Sequence, residues 1–313
     1  MHNVFMLNNT MNSKHILLTG GTGFIGSKLT RLLLDKGYTV SHLSRKPGND
    51  ARVKTYLWNV SKEQIDERCI DGVAIIVHLA GADIGGKRWT KQRKKEIIAS
   101  RTKSIALIYE LLKKKKHNVN SVISASATGY YGDCGDEFAT EESVHGNDFL
   151  SNCCEQWEQM VDEGRLLGLR VLKFRTGVIL AANGGALKKI ALPIKYSMGS
   201  PLGSGKQWIP WIHEQDAINM YLFGIENENL NGVYNMVAPN AVTNEKLTYA
   251  IAKQLQRPLW LPNVPVFILK LLLGEMSDIV LTSTKASAKK IQQVGFTFKY
   301  TEIDGALKEI YSP

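Results

Sequence analysis

Lys14 to Gly48 reads KHILLTGGTGFIGSKLTRLLLDKGYTVSHLSRKPG, and no other stretch of the 313-residue chain limits its fold so narrowly. His15 to Thr19 is a short apolar run of strand type. Gly20, Gly23 and Gly26 punctuate the turn after it. Phe24 to Lys36 then follows a helical repeat, with Ile25, Leu29, Leu32 and Leu33 on one side. Tyr38 to Leu43 supplies a second strand, so the spacing predicts a βαβ unit. Each glycine has a mechanical reason. Gly20 allows a sharp turn, Gly23 lets backbone approach a pyrophosphate, and Gly26 lets helix lie close on strand. The helix N-terminus adds unpaired N–H groups and partial positive charge. A glycine-rich turn alone is weak, but strand, helix and second strand in this order mark a dinucleotide site. Its candidate residues are Gly20, Gly21, Thr22, Gly23, Phe24, Ile25 and Gly26.

The residues after the second strand choose the cofactor. A site for NAD usually carries Asp or Glu there, about 20 residues past the glycines, on the ribose hydroxyls. This chain has Ser44, Arg45 and Lys46. A carboxylate would repel a 2′-phosphate, whereas Arg45 offers paired charge-assisted bonds and a plane to stack on adenine. The expectation is NADP(H).

Strand-like and helix-like segments keep alternating. Val53 to Trp58, Gly72 to Gly81, Val119 to Ala127 and Leu169 to Gly177 have the apolar runs of buried strands. Helices are expected near Lys62, from Lys91 to Lys116 and from Asn152 to Leu167. That pattern predicts an α/β fold, a Rossmann doubly wound parallel sheet with a smaller interleaved C-terminal lobe. Ligand groups should gather at the carboxyl ends of strands, where LAG (Leu79, Ala80, Gly81), SASATGYYG and RTGVIL lie. After Gly177 the chain becomes rich in Gly, Pro and Asn, up to a last strand at Gly232 to Val237. Further helices are expected at 265–273, 284–294 and 301–311. The division expected is a polar leader over 1–13, a dinucleotide-binding domain over 14–240 with lobe insertions near 181–215, and a mostly helical lobe over 241–313.

Composition narrows the partners. The net charge is +10, and part of the excess lies in GKRWTKQRKKEIIASRTKSIALIYELLKKKKH, Gly86 to His117. There Ile97, Ile98, Arg101, Ile105, Ile108 and Leu112 recur at helical spacing, leaving Lys91, Lys94 and Lys95 on another face. No aromatic platform accompanies the charge, so nucleic acid is not the expected partner. No run reaches the roughly 18 apolar residues of a membrane span, and no membrane is expected as a partner either. The start has no charged segment followed by an apolar one, which points to the cytosol. Cys69, Cys134, Cys153 and Cys154 have no metal-site spacing, so no metal is expected and free thiols in a reducing compartment are.

TGGTGFIG, LAG, SATGYYG and WIHEQD together resemble the extended short-chain dehydrogenase/reductases, which include sugar-nucleotide epimerases. LAGADIGGKRWT, SRTKSI, LRVLKFRTGVILAANGGAL, PLGSGKQWIPWIHEQD and LLLGEMSDIVLTSTKASAKKIQQVGFTF narrow this to an atypical epimerase-like subfamily. Bacterial YfcH-like proteins typify it, with a small C-terminal domain of uncharacterised role. The resemblance runs from about Lys14 to the end. It implies that Gly20 to Gly26 hold the pyrophosphate and that Ser44 and Arg45 take the 2′-phosphate. Leu79 and Ala80 would lie beside the adenine-side ribose, Glu96 and Arg101 would reach the cofactor from the basic helix, and Ile179 would sit near the nicotinamide. Arg101 has an alternative, burying its stem while its head pairs with Glu96 or Glu110.

The resemblance also exposes a departure. The parent superfamily places Tyr-x-x-x-Lys at the start of the helix after YYG, and the tyrosine exchanges a proton with the substrate. Here Asp148 and Asn152 stand at those positions. The assisting serine is present as Ser126, with Ser124 and Thr128 close by. Three readings stay open: another acid, with Tyr130, Tyr131 and Asp148 as candidates; a non-catalytic sensor of NADP(H); or a scaffold that inherited a pocket. The first would make the protein an NADP-dependent oxidoreductase or epimerase of a small molecule, working as a monomer or homodimer. Trp208, Trp211, His213 and Lys206 are candidates for a substrate cleft, and Asp216 for a helix cap.

Overall fold

The computed structural model describes residues 14–312; the polar leader expected over 1–13 lies outside them. The chain opens with β1 (His15–Thr19), whose residues from Ile16 on are buried, then α1 (Phe24–Asp35) and β2 (Thr39–Ser44). β1 pairs in parallel with β2, which completes the βαβ unit. α1 turns Gly26, Leu29, Thr30 and Leu33 into the core. β3 (Lys54–Asn59) follows, then a two-residue β4 (Gln64–Ile65) folded back antiparallel on it. The helix expected near Lys62 is two 3-10 turns instead, Val60–Lys62 and Glu67–Ile70. The physical reason lies in the residues: Val60 and Ile65 are five apart and form no helical stripe. Asn59 and Asp66 each cap a turn with a side-chain oxygen.

β5 (Val73–His78) leads through a long loop to α2 (Lys91–Lys114), capped by Thr90. Ile97, Arg101, Ile105, Ile108 and Leu112 face inward on α2 as the spacing predicts, with Ile98 half-buried. β6 (Ser121–Ala127), a short β7 (Phe138–Ala139), α3 (Phe149–Asp162) and β8 (Arg170–Thr176) complete the middle of the chain. Then come β9 (Val178–Leu180), α4 (Gly185–Lys195), β10 (Trp208–Ile209), β11 (Trp211–His213), α5 (Glu214–Glu226) and β12 (Gly232–Met236). The eight-stranded main sheet has the order β12-β8-β6-β5-β1-β2-β3-β4. Its order reverses between β1 and β5, so the crevice at their carboxyl ends is where a ligand is expected in an open α/β sheet.

The end of the chain holds β13 (Val242–Thr243), α6 (Asn244–Gln254), α7 (Val266–Leu273), α8 (Asp278–Leu281), β14 (Lys285–Ala286), α9 (Lys289–Gln293) and α10 (Ile303–Tyr311). Where one helix over 284–294 was expected, β14 pairs with β7 and only Lys289–Gln293 is helical. The backbone there is claimed by the other lobe: Cys134 N donates to Ser283 O at 2.7 Å and Ser287 N to Ala139 O at 2.9 Å.

Candidate functional site

The glycine turn shows what each position must leave empty. Gly20 has φ +68°, and a Cβ there would stand 2.9 Å from the Leu79 carbonyl carbon, so the turn passes hard against the end of β5. A Cβ on Gly26 would overlap the Gly20 carbonyl. Gly23 differs: its backbone is extended, and a Cβ would meet only Gly20 O, at 3.1 Å. Thr22 and Gly23 are exposed. α1 has no side-chain cap and no acidic residue in its first turn. The result is an open cradle of backbone amides at a helix N-terminus, which fits a pyrophosphate. Phe24 closes one side, beneath Gly184, and Ile25 anchors in the core.

One arrangement that holds this crevice escapes a reading by sequence. Thr19 Oγ1 accepts from Leu79 N and Ala80 N, both at 3.1 Å, and lies 2.9 Å from His78 Nδ1. His78 Nε2 is 3.1 Å from Ser104 Oγ, which donates to Arg101 O at 2.8 Å. The hydroxyl of Thr19, already accepting twice, gives its proton to Nδ1; Nε2–H then donates to Ser104. Every group is satisfied with His78 neutral, and burial pushes its pKa down to about 4. The chain Thr19–His78–Ser104 thus fixes the half-buried Leu79 and Ala80 and the exposed Gly81 against the glycine turn.

At the end of β2, Ser44 is half-buried, its Oγ accepting from Lys46 N at 3.3 Å, and Arg45 is exposed. Asp50, on the same loop, is held by Arg52 through bonds of 3.1 and 2.9 Å. A cavity of about 190 Å³ lies between this loop and the glycine turn, lined in part by Thr22, His42 and Asp50. Thr55 Oγ1, in its wall, is buried with no partner among the described residues. A hydroxyl and a guanidinium without partners among the described residues, together with an amide cradle, fit a phosphate-bearing nucleotide.

Glu96 and Arg101 are not brought together. Glu96 is exposed and paired with Arg93 at 2.7 Å. The Arg93 bond holds its carboxyl below the usual range against a small desolvation, with lesser help from Lys87 and Arg45. Arg101 is buried and pairs with neither Glu96 nor Glu110. It donates to Ile97 O at 3.0 Å and Ala82 O at 3.1 Å and lies over the Trp157 ring. Its guanidinium also backs Gly81, where a Cβ would come within 3.1 Å. Ile179 is half-buried on β9, facing Ile212 of β11 in register.

The second crevice edge, after β6, is built differently. Ser126 is buried and donates to Glu158 Oε1 at 2.7 Å. Arg175 grips the same carboxylate from Nε at 2.8 Å and Nη2 at 3.0 Å, and Lys173 stands 3.5 Å away. Tyr131 is buried, donates to Asn235 Oδ1 at 2.6 Å and accepts from Arg175 Nη1 at 3.1 Å; burial raises its pKa. Tyr130 is half-buried, with the Arg175 guanidinium 3.4 Å from its ring centroid. Among the described residues its phenol oxygen bonds to no protein group. Asp148 caps α3, accepting from Ser151 N at 2.9 Å, and Asn152 donates to Asp148 O at 2.8 Å. Neighbouring Ser124 and Thr128 are buried, and their hydroxyls face the carbonyls of Ala125 and Thr176.

The cleft on the lobe side also departs from expectation. Trp211 is fully buried and bonded to Asn240 O, and His213 caps α5 while meeting Glu309 at 2.9 Å. Asp216 is no cap. Its carboxylate accepts from Lys299 N and Tyr300 N, each at 2.9 Å, and ties the terminal segment down. Trp208 bonds Asp136 at 2.8 Å, and Lys206 is exposed. A cavity of about 310 Å³ on this lobe is lined by Asp133, Ser204, Gln207, Lys270 and Asp278 among others, and by none of the four candidates Trp208, Trp211, His213 and Lys206. Among the described residues no cluster of His, Cys, Asp and Glu is arranged for a metal ion. The four cysteines are free.

A doubly wound sheet, a glycine turn at its reversal and a lobe closing over the strand ends define a dinucleotide-binding Rossmann protein of the extended short-chain type. Its relatives make the assignment specific. An epimerase family protein of Staphylococcus aureus strain NCTC 8325 / PS 47 is 36% identical over 304 residues, covering 95% of this chain and 99% of the relative. The family described as NAD dependent epimerase/dehydratase matches residues 16–153, and a domain of unknown function, DUF1731, matches 264–310. The chain belongs to the NAD-dependent epimerase/dehydratase family. A crystal structure of the human epimerase family protein SDR39U1 (isoform 2) with NADPH superposes with TM-score 0.84 at 28% identity, over 95% of this chain and 99% of that one. A nucleoside-diphosphate sugar epimerase from Corynebacterium glutamicum gives 0.78 at 30% identity, over 95% and 58%.

Proposed function

We propose that the protein uses NADP(H) to oxidise, reduce or epimerise a small molecule. The observation that carries the cofactor choice is Arg45, exposed at the end of β2 beside a loop whose one carboxylate, Asp50, is already neutralised by Arg52. The human relative's structure with NADPH supports the same choice. Amides from Gly20 to Gly26 hold the pyrophosphate, and Ser44 and Arg45 hold the 2′-phosphate. Leu79, Ala80 and Gly81 flank the ribose, and Ile179 lies toward the nicotinamide. Bound there, the cofactor supplies or accepts hydride.

The protein's own part in the reaction is to place a proton. Of the three side chains expected to act, Tyr130 keeps an unengaged phenol, and Arg175 fixes its ring. We assign it as the acid. Ser126 and Tyr131 act through Glu158 and Arg175, as positioning residues. A sensor with no chemistry is the second reading, and one observation favours it: Asp148 serves as the cap of α3, and Asn152 donates to the Asp148 carbonyl.

The test incubates the protein and a small-molecule extract with NADPH deuterated at the transferable position. Products are followed by mass spectrometry for label and by NMR for changed isomer ratios. Label or isomer change that vanishes in Tyr130→Phe supports the proposal. Neither change, in a tube where NADPH binding is confirmed, leaves the sensor. Arg45→Ala should weaken NADPH about 10- to 100-fold, from lost bonds of about 1.5–3 kcal/mol. It should barely alter NADH, and equal losses would sink the phosphate assignment.

A further inference from the structure

α7 reads VFILKLLL, and of its eight residues only Leu269 is buried. Phe267 is 71% exposed, Leu271 74% and Leu272 67%. Large apolar tips scattered singly are ordinary on a protein surface, but a contiguous group marks a docking site. These have company. Trp260, 68% exposed, donates to Ser197 O at 2.9 Å and so sits beside Tyr196 and Met198, both also exposed. A bridge between Leu202 and Val264 carries this strip on to α7. On the other side, Arg88 donates to Leu271 O at 3.3 Å and Lys189 to Gly85 O at 3.2 Å. The end of α4, the segment before α7, α7 itself and the loop near Gly85 therefore form one continuous rim.

The charge along that rim is mainly positive. Lys87, Arg88, Lys188, Lys189, Lys195 and Lys270 are all exposed on it. These six cations outnumber the nearby carboxylates: Glu275 is paired with Lys94, Asp83 accepts from Gly85 N at 3.0 Å, and Asp278 lies exposed beside Lys270. The whole chain carries +10. A second copy docked here would set these cations against their own kind. An anionic headgroup layer would pair with them while Phe267, Leu271 and Leu272 entered beneath it, with Trp260 and Tyr196 at the boundary. We propose that this face docks the protein peripherally on an anionic lipid bilayer. No spanning segment is required. Among the described residues no helix is long and apolar enough to cross a membrane, and the sequence expectation of no membrane partner rested on that criterion alone.

The test is flotation of the full chain with unilamellar vesicles. Vesicles of phosphatidylglycerol mixed with phosphatidylcholine should carry the protein up the gradient, and phosphatidylcholine alone should not. The Trp emission should shift to the blue on binding, and Trp260→Phe should remove most of that shift. The double variant Phe267→Glu with Leu271→Glu, checked for an unchanged melting curve, should lose at least about tenfold in partitioning. No flotation with the anionic vesicles overturns the proposal. So does flotation that the double variant leaves intact, since charge alone would then explain it. A wild-type dimer that the double variant turns into a monomer assigns the face to a second copy and overturns it too. Capture by an acidic amphipathic peptide, without flotation, assigns it to a protein.

Discussion

The two edges of the crevice sit at strand ends of one sheet with β5 between them, yet they treat their polar groups in opposite ways. After β1, Thr22 and Gly23 lie exposed, α1 begins with no side-chain cap, and Arg45 faces solvent across the turn. After β6, Ser126, Tyr131, Glu158 and Arg175 are buried and bonded to one another, and Asp148 and Asn152 hold the start of α3. The first edge keeps its hydrogen-bonding capacity for a ligand. The second gives nearly all of it to the fold. Membership of a family therefore guarantees the first edge far more than the second, because a scaffold can keep its cofactor cradle while the residues of the reaction change.

The largest effect should come from the closed edge. Arg175→Met leaves the Glu158 carboxylate buried with only Ser126 and a Lys173 ammonium at 3.5 Å. Stranding one member of a buried pair typically costs about 3–5 kcal/mol. Urea unfolding should show a loss in that range, with NADPH affinity little changed in the protein that remains folded. A loss under about 1 kcal/mol would mean that Lys173 suffices as partner and that this edge is looser than it looks.

The cofactor edge has its own buried titrating group. Burial pushes the pKa of His78 down to about 4, the Arg101 charge adds to this, and a hydrogen bond involving the Arg101 backbone opposes it. The unfolded chain binds a proton near pH 6.5 that the folded chain refuses, so stability must fall as pH drops from about 6.5 to about 4. The loss from this group is of the order of 3 kcal/mol by the bottom of that window. His42 and His15 are also lowered, mainly by burial, and act in the same direction. Urea midpoints at pH 7 and pH 4.5 should differ strongly in the wild type. In His78→Asn the gap should shrink; an unchanged gap would move the acid sensitivity away from this edge.

How much of this was legible in the sequence follows the same division. The glycine turn, the βαβ unit, the parallel strands and the inward face of α2 rest on local periodicity and backbone sterics, which sequence spacing records directly. The helix misplaced over 284–294 failed because β14 is held by β7, almost 150 residues earlier in the chain, and no local pattern contains that contact. The Thr19–His78–Ser104 chain was invisible for the same reason, since its members come from three elements. Its one sequence signal is a histidine inside an otherwise apolar strand, VAIIVH. Arg101 showed its helical face but not its partners, which are backbone carbonyls. Trp211 and His213 had the residue types of a ligand cleft, and their burial depends on α10 and the loop at Asn240 closing over them.

The smallest effect sharpens the comparison most. Asp148→Ala removes the cap on Ser151 N and should cost about 1 kcal/mol, with Asp148→Ser recovering most of it. NADPH affinity should not move, because among the described residues no contact of Asp148 reaches the first edge. A changed affinity would join the two edges and undo their separation. The same geometry bears on restoring the superfamily pair by Asp148→Tyr with Asn152→Lys. Gly132 (φ +65°) leaves so little room that a Cβ on it would lie 2.9 Å from Asp148 Oδ2. A tyrosine at 148 would forfeit the cap and have to leave that crowded space, shifting the start of α3. Substitution at the two positions alone should therefore destabilise the helix start without supplying an aligned acid, since the backbone beneath them is shaped for a cap.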